Sequence, residues 1–466
     1  MRLFDWRSLV VSSMVIGALA AKAETRPQYG GVLHVAMRAA PASLDPADLG
    51  PTNFVPADNA QPDSFARRSL TTLMFDTLVT TDESGRVQPW LAVSWQASPG
   101  NQRWQFRIRR GVKFHDGTPL SAEIAAASLR AANPSWNVSA DSDSVVIERA
   151  NTDPALLAEL ALARNAIVKK NPDGTPSGTG PFHFTGWQPG KMLILAADEN
   201  CWRGRPFLDG IEIEMGKSFR DQMTALELGK ADMVEVAPEQ AHRISQEGRR
   251  LATSAPMELL ALLFTREAAS PEEKLLREAL ALAVERGSIR NVLLQGTGQP
   301  AASILPNWMS GYGFVFSTDA DLPRARHARE QVHTVPAWTI GYDGSDPVAR
   351  LLAERIALNA KDAGLSLQPT SAGSADLRLV RIPLASPDPW IALADVATLA
   401  GKPTGKAGGA VEDLYASEVA LLATQRIVPL FHLPVSYAAS VTLNNWTLRS
   451  DGNWTLADAW LGNGKP

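Results

Sequence analysis

The sequence predicts an α/β protein of more than one lobe, and three observations carry that prediction. Segments with the apolar spacing of helices alternate with short strand-like segments from residue 31 to the C-terminal region. Residues 334–370 read strand, helix, strand, a βαβ-like unit that favours a parallel or mixed sheet. The chain of 466 residues is also too long for one hydrophobic core, which suits two or three compact units.

The first 23 residues have the layout of a secretory signal peptide. Two arginines precede a mostly apolar stretch from residue 9 to residue 20, and an A-x-A cleavage site follows at residues 21–23. A membrane anchor is the alternative reading, but the apolar stretch is too short to span a bilayer. We therefore expect an exported, soluble protein.

Composition narrows the class of protein further. A formal net charge of −4 gives no electrostatic attraction to nucleic acid, and 45% hydrophobic with 20% charged residues is ordinary for a globular chain. Cys201 is the only cysteine, so no intrachain disulfide can form. We expect the stability of the chain to come from core burial.

The elements follow in order along the chain. In the N-terminal half we predict a strand at 31–39, a loop at 42–63, a helix at 64–80, a strand at 104–110, a helix at 121–131 and a strand pair within 182–198. In the C-terminal half we predict a helix then a strand within 219–236, one long helix at 271–296, the βαβ-like unit, and a hairpin at 445–456.

No motif of catalysis or cofactor binding stands out. The chain has no G-x-S-x-G, H-E-x-x-H or G-x-x-x-x-G-K-[ST] pattern, and its seven histidines are scattered without metal-ligand spacing. Cys201 has no histidine nearby in sequence and reads as a small buried filler. We expect no catalytic residues, no metal and no cofactor.

The stretch "VKFHDGTPLSAEI" (112–124) raises the question of an acid–base pair at His115 and Asp116. Asp-Gly is a strong turn dipeptide, since glycine accepts a positive φ and aspartate bonds its own backbone. Ser121 is placed to cap the next helix, with Glu123 in its first turn. We interpret the stretch as a turn between a strand and a helix.

Several ordered blocks resemble one family. "GGVLHVAMRAAPASLDP", "PWLAVSW", "GVKFHDGTP", "GTGPFHFTGWQPG" and "CWRGRPFLDGIEIE" are similar to blocks of the family-5 solute-binding proteins of ABC importers, the group with dipeptide-, oligopeptide- and nickel-binding members. The clear blocks span residues 30–306, and fainter ones follow. In the peptide binders an aspartate three residues before an Asp-Pro pair grips the peptide α-ammonium. Here that position is Ala385, ahead of Asp388.

The resemblance implies a periplasmic-binding-protein-like α/β fold of type II, similar to the dipeptide-binding proteins. It would have two lobes joined by a hinge and an extra α/β subdomain. The expected segments are 1–23 signal peptide, 24–60 lobe I, 61–176 extra subdomain, 177–256 lobe I, 257–434 lobe II and 435–466 lobe I. The chain crossings are expected near 256–264 and 434–437.

It also implies a function without covalent chemistry. A small solute, in the first instance a peptide or peptide-like compound, would be enclosed between the lobes and delivered to an ABC permease and its ATPase at the inner membrane. The expected ligand-binding residues are Asn59, Thr265, Ser386, Asp388, Trp390, Arg38 and Tyr437.

Two of these residues have a second reading, and the function has two alternatives. Asp388 either pairs with a cationic group or shapes the turn before Pro389, and Trp390 either stacks on a ligand or packs in the core. There are two alternatives to transport. One is a periplasmic hydrolase, and the other is a sensor that binds ligand without delivering it to a permease.

Overall fold

In this computed structural model, residues 26–50, 65–172, 174–403 and 408–462 are described. The expected signal peptide and Asn59 lie outside these residues. The strands are β1 (Val32–Ala36), β2 (Val79–Thr81), β3 (Val87–Pro89), β4 (Ala92–Ala97), β5 (Arg103–Ile108), β6 (Asn137–Asp141), β7 (Ser144–Glu148), β8 (Lys169–Lys170), β9 (Pro176–Ser177), β10 (Phe182–Gln188), β11 (Met192–Ala197), β12 (Gly210–Glu214), β13 (Met233–Val236), β14 (Arg250–Phe264), β15 (Gln299–Pro300), β16 (Ala337–Gly341), β17 (Ser366–Thr370), β18 (Leu377–Pro383), β19 (Ile427–Ala439), β20 (Leu443–Asn444), β21 (Thr447–Leu448), β22 (Trp454–Thr455) and β23 (Trp460–Leu461).

Helices lie between these strands, which confirms the α/β class. They are α1 (Phe65–Met74), α2 (Ala122–Ala132), α3 (Leu156–Leu160), α4 (Phe219–Glu227), α5 (Pro238–Gln246), α6 (Pro271–Ala283), α7 (Arg286–Val292), α8 (Asn307–Ser310), α9 (Leu322–Glu330), α10 (Pro347–Asp362), α11 (Pro389–Leu399) and α12 (Val411–Leu422). Among the described residues, no helix is long and apolar enough to cross a membrane.

One mixed sheet runs through the molecule in the order β10-β11-β12-β1-β13-β19-β14-β18-β16-β17, with β15 paired to β19. Its centre is the antiparallel pair of the two longest strands, β14 and β19. The βαβ-like unit is present as predicted, with β16 and β17 parallel and α10 between them. The hairpin at the C-terminal end forms from β21 and β22.

The hydrophobic cores divide this sheet into regions. Lobe I denotes β1, β10–β13, α1, α4, α5 and the C-terminal strands. One of its cores contains Leu33 and Ile213, and a second core beneath α4 and α5 contains Val234 and Ile244. Lobe II denotes α6–α12 and β15–β18, and β14 and β19 run through both lobes. The extra subdomain denotes β2–β7, α2 and α3, packed around Phe106 and Leu129.

Strand β14 is buried on both faces inside lobe II, which explains its continuous apolar run. Leu260, Leu262 and Phe264 join the core beneath α6 and α10. Leu259, Ala261 and Leu263 join the core beneath α11 and α12. Successive side chains of a strand point to opposite faces, so one strand serves two cores.

The predicted helix at 64–80 is too long, because α1 ends at Met74. Gly178 and Gly180 lie against its last turn, and a Cβ built on Gly178 would stand 1.9 Å from the carbonyl oxygen of Met74. The Gly180 amide donates to that carbonyl at 3.0 Å. This close contact ends the helix, and residues 79–81 pair with β3 instead.

The predicted single helix at 271–296 is also wrong in detail. It divides into α6 and α7 because Val284 is extended, with φ −72° and ψ 115°. The break carries the guanidinium of Arg286 into the core, where it donates to the carbonyl oxygens of Ala301 and Pro429 at 2.9 and 2.8 Å. Tertiary hydrogen bonds therefore override the helical periodicity.

Candidate functional site

Two cavities lie between lobe II and the rest of the chain. The strand-side cavity, of about 800 Å³, is lined by residues 38–43 and 216–219 of lobe I, by Asp343 and Arg381 of lobe II, and by residues 434–437 of β19. The subdomain-side cavity, of about 660 Å³, is lined by the extra subdomain, by residues 385–389 of lobe II and by residues 453–458 of lobe I. Cavities of this size accommodate a small organic ligand.

Charged side chains cross the strand-side cavity. Arg38 follows β1 in lobe I, and its Nη2 lies 2.6 Å from Oδ2 of Asp343, which follows β16 in lobe II. Arg381 on β18 lies 3.4 Å from Glu258 on β14. Both guanidinium groups lie over the ring of Phe219, at 4.4 and 5.7 Å from its centroid. The aromatic face therefore supports two cations from opposite lobes.

Buried carboxylates surround these arginines. Burial raises the pKa of Glu258 and of Glu239 above the ordinary carboxyl value, although Arg381 and Arg38 oppose that rise. For Arg381, burial disfavours the charge, but Glu258 and Asp346 hold its pKa above the usual value. At the strand-side cavity, these arginines and carboxylates thus interact with one another while they are shielded from water.

One carboxylate of the subdomain-side cavity holds two tryptophan side chains, of which Trp90 lines the cavity. Asp76, buried at 4% exposure just after α1, accepts from Nε1 of Trp90 at 2.7 Å and from Nε1 of Trp202 at 3.1 Å. It also accepts from the Thr179 hydroxyl at 2.8 Å. Three donors satisfy this carboxylate and fix the orientation of both indole rings.

An ion-pair group joins the extra subdomain to lobe II beside the same cavity. Arg164 donates to Glu159 within the subdomain at 2.6 Å and to Asp395 on α11 at 2.8 Å. All three side chains are less than a fifth exposed. Lobe II is therefore tied to the remaining regions by charged contacts as well as by β14 and β19.

Ser386 and Asp388 are brought together at the subdomain-side cavity. The Ser386 hydroxyl accepts from the Asp388 amide at 3.1 Å, and Oδ1 of Asp388 accepts from the amides of Trp390 and Ile391 at the start of α11. Asp388 is thus engaged as a helix cap, which favours the turn-shaping reading. Trp390 is partly buried against the core beneath α11 and α12, which favours its packing reading.

The other expected site residues lie elsewhere. Arg38 and Tyr437 line the strand-side cavity, with the Tyr437 side chain buried and the pKa of its hydroxyl raised by that burial. Thr265 lies at the end of β14 and lines neither cavity; its hydroxyl donates to the carbonyl oxygen of Asp376 at 2.9 Å. Thr265 thus lies apart from Arg38 and Tyr437, and its ligand role stays a prediction.

The stretch around His115 is a turn, as predicted. The Gly117 amide donates to Phe114, the Thr118 amide donates to Oδ1 of Asp116, and Ser121 caps α2. The ring nitrogens of His115 meet the carbonyl of Gly180 and the amide of Gly178 at 3.0 and 3.3 Å, and burial lowers its pKa. Nor do the described residues bring together a group of His, Cys, Asp or Glu suited to a metal ion.

Sequence reasoning missed the residues that give the cavities their chemistry: Asp76, Trp90, Trp202, Glu258, Asp343 and Arg381. A signal existed for two of them. Glu258 and Arg381 are charged residues flanked by apolar residues in their strands, and such charges are costly to bury unless they are paired. Their pairing partners are far away in sequence, so the signal marks the positions but not the site.

The chain resembles known proteins over most of its length. A family model described as bacterial extracellular solute-binding proteins, family 5 Middle, matches residues 86–381. The nickel-binding periplasmic protein of Escherichia coli is 28% identical over 289 residues, which are 56% of this chain and 54% of that protein. The oligopeptide-binding protein AppA of Bacillus subtilis is 23% identical over 335 residues, 66% of this chain and 58% of that protein. The chain thus spans less than two thirds of either relative.

Solved structures share the fold over nearly the whole chain. The binding protein DppA of Helicobacter pylori, in complex with the peptide STSA, superposes with a TM-score of 0.78 at 17% identity and covers 94% of this chain and 99% of that chain. This similarity confirms the two-lobed fold of type II.

Proposed function

Because this chain belongs to the bacterial extracellular solute-binding proteins of family 5, we propose that it is the periplasmic substrate-binding component of an ABC importer. It captures a small solute, in the first instance a peptide or peptide-like compound, and delivers it to an inner-membrane permease driven by an ATPase. It acts as a monomer and leaves every covalent bond of the solute unchanged.

The observation that carries this proposal is the placement of both cavities between the lobes. Their walls come from lobe I, lobe II and the extra subdomain, while β14 and β19 provide the continuous strands between the lobes. A ligand held there contacts both sides only when the lobes are together. It therefore stabilises the closed state by its greater affinity for that state.

The names of similar proteins support the proposal that this protein binds a solute. One relative is named as a nickel-binding protein and another as an oligopeptide-binding protein. We also propose the segment boundaries expected above, except that α1 packs in the core of lobe I and is assigned to that lobe. The hinges would lie where β14 and β19 pass between the lobes near residues 256 and 434.

The test is a distance measurement across the cleft. Lys230 in lobe I and Lys361 in lobe II are exposed, and replacing each by cysteine in a Cys201→Ser background provides two labelling sites. We expect energy transfer to increase when a bound solute is added, and a label pair within lobe I to stay constant. If the distance between the two labels stayed constant with every added solute, and the protein steadily converted a compound to product, the hydrolase alternative would be favoured.

A further inference from the structure

Arg203 stands out among the cations of the subdomain-side cavity. Its guanidinium carbon lies 4.7 Å from the ring centroid of Trp90 and 5.9 Å from that of Trp202. Both Arg203 and Trp90 line the cavity. The guanidinium plane is therefore held against aromatic surface at the cavity wall.

The two supporting rings are themselves fixed in place. Asp76 accepts from both indole nitrogens, and the rings meet edge to face with centroids 5.3 Å apart. Arg109 covers Trp202 at 4.9 Å and donates to the carbonyl oxygen of Trp90 at 2.9 Å. This arrangement orients Arg203 before any ligand arrives, which reduces the entropy lost when it forms hydrogen bonds.

The donors of Arg203 remain available. Within the described part of the chain, its guanidinium has ring contacts and forms neither an ion pair nor a hydrogen bond. The other arginines of the lining differ: Arg164 is paired with Glu159 and Asp395, Arg449 is paired with Asp451, and the buried Arg68 has a partner of its own. An oriented guanidinium with open donors matches the two oxygens of a carboxylate or phosphate.

The acidic side chains that line the cavity do not compete strongly with a ligand for the Arg203 guanidinium. Asp76 accepts from three neutral donors, Asp388 caps α11, and Asp451 pairs with Arg449. Asp458 is the remaining acid and is exposed to solvent. On the lobe II wall, Ala385, Ser386 and Pro387 are neutral.

We propose that Arg203 anchors an anionic group, a carboxylate or a phosphate, of the solute bound in the subdomain-side cavity. The proposal rests on the function proposed above and assigns that function an anionic substrate class. A hydrogen-bonded pair with a charged group contributes enough that its loss weakens binding about tenfold to a hundredfold. A lysine would retain the charge but not the planar pair of donors, so it should recover part of the affinity.

The test compares purified protein with Arg203→Gln and Arg203→Lys. Arg110→Gln is the matched control, since that side chain is 90% exposed and lies outside both cavities. The probes for calorimetry are alanyl-alanine, its C-terminal amide, succinate, inorganic phosphate, glucose and putrescine. The peptide and its amide isolate the carboxylate, and phosphate separates the two sources of anion. Small molecules retained on gentle purification are identified by mass spectrometry in parallel.

We expect an anionic probe or retained compound to bind the unmodified protein and Arg110→Gln alike, and to bind Arg203→Gln at least about tenfold more weakly. Equal binding of every anionic probe or retained compound by Arg203→Gln and the unmodified protein overturns the proposal. Equal binding of the peptide and its amide overturns it as well when neither succinate, phosphate nor a retained anion binds. Binding only by neutral or cationic compounds overturns it while leaving the proposed solute capture intact. If no probe binds and no solute is retained, while the lobe distance stays constant, both proposals fall.

Discussion

Arg38 and Asp343, separated by 305 positions in the chain, form an ion pair of 2.6 Å that joins lobe I to lobe II. Their side chains are 18% and 24% exposed, so solvent screens the pair only in part. The contact closes one side of the strand-side cavity. The position of the lobes therefore depends on a side-chain contact as well as on the two long strands.

Removing this ion pair should open the lobes. In Arg38→Gln we expect the open population to rise about fivefold, which corresponds to the loss of about 1 kcal/mol from the closed state. The check is the energy-transfer distance between labels at 230 and 361. Arg110→Gln breaks an exposed pair with Asp143 and should leave the distance unchanged. An unchanged distance in Arg38→Gln would mean that the pair does not hold the lobes together.

His115 should contribute to stability and not to turnover. His115→Ala removes the contacts with Gly178 and Gly180, and we expect the free energy of unfolding to fall by about 1–2 kcal/mol. Solute affinity should stay the same, because His115 lines neither cavity. Urea titration and calorimetry measure the two quantities, with exposed His333→Ala as control. Loss of a catalytic turnover in His115→Ala alone would contradict the turn interpretation.

His432 should make stability fall in mild acid. It is 3% exposed on β19, and burial lowers its pKa to about 4 although its Nε2 hydrogen-bonds to the Ile304 carbonyl. Stability is full above the ordinary pKa of 6.5. It declines as the pH drops from 6.5 toward 4, because the unfolded chain takes up a proton that the folded chain refuses.

Between pH 7.5 and pH 5 this one group should account for about 2 kcal/mol of lost unfolding free energy. His432→Gln, which keeps a donor for Ile304, should show a smaller loss by that amount in urea titrations at the two pH values. His327→Gln changes an exposed histidine and should behave like the unmodified protein. If His432→Gln and the unmodified protein showed equal pH dependence, burial would not lower the pKa of His432 in the folded protein.

Tyr312→Phe should weaken lobe II. The Tyr312 hydroxyl donates to Oε2 of the fully buried Glu418 at 2.7 Å, and Oε1 of Glu418 accepts from the amides of Ile304 and Leu305. Without the hydroxyl, one buried carboxylate oxygen loses its donor, at a cost of about 2 kcal/mol in unfolding free energy. Tyr415→Phe is the control, because that neighbouring ring lies 5.3 Å away and is 36% exposed. Similar losses in the two variants would point to ring packing instead.

Local chemistry allowed some elements to be predicted well. The turn at residues 114–118 and the cap at Ser121 follow from side chains bonding their own backbone neighbours. The βαβ unit at 337–370 follows from periodicity alone. The end of α1 and the break before α7 escaped prediction, because Gly178 and the carbonyl of Pro429 act on them from distant parts of the chain.

The candidate site was less predictable than the fold. Asp388 and Trp390 were singled out from a motif, and the structure engages them in capping α11 and in core packing. The position of Arg203 could not be predicted from the sequence. Nothing in its neighbours along the chain shows that two indole rings held by Asp76 will orient its guanidinium.

By itself, the sequence determined the α/β class, the turns and caps, and the family blocks, because these depend on residues close together in the chain. Only the tertiary structure decided which charges face each other across the cavities. Arg381 meets Glu258 because β18 and β14 are neighbouring strands of the sheet. Arg38 and Asp343 follow β1 and β16, which are not neighbours, and they meet because the two lobes face each other across the cavity. Electrostatic interactions depend on distance through space and on burial, and neither quantity is written in the order of residues.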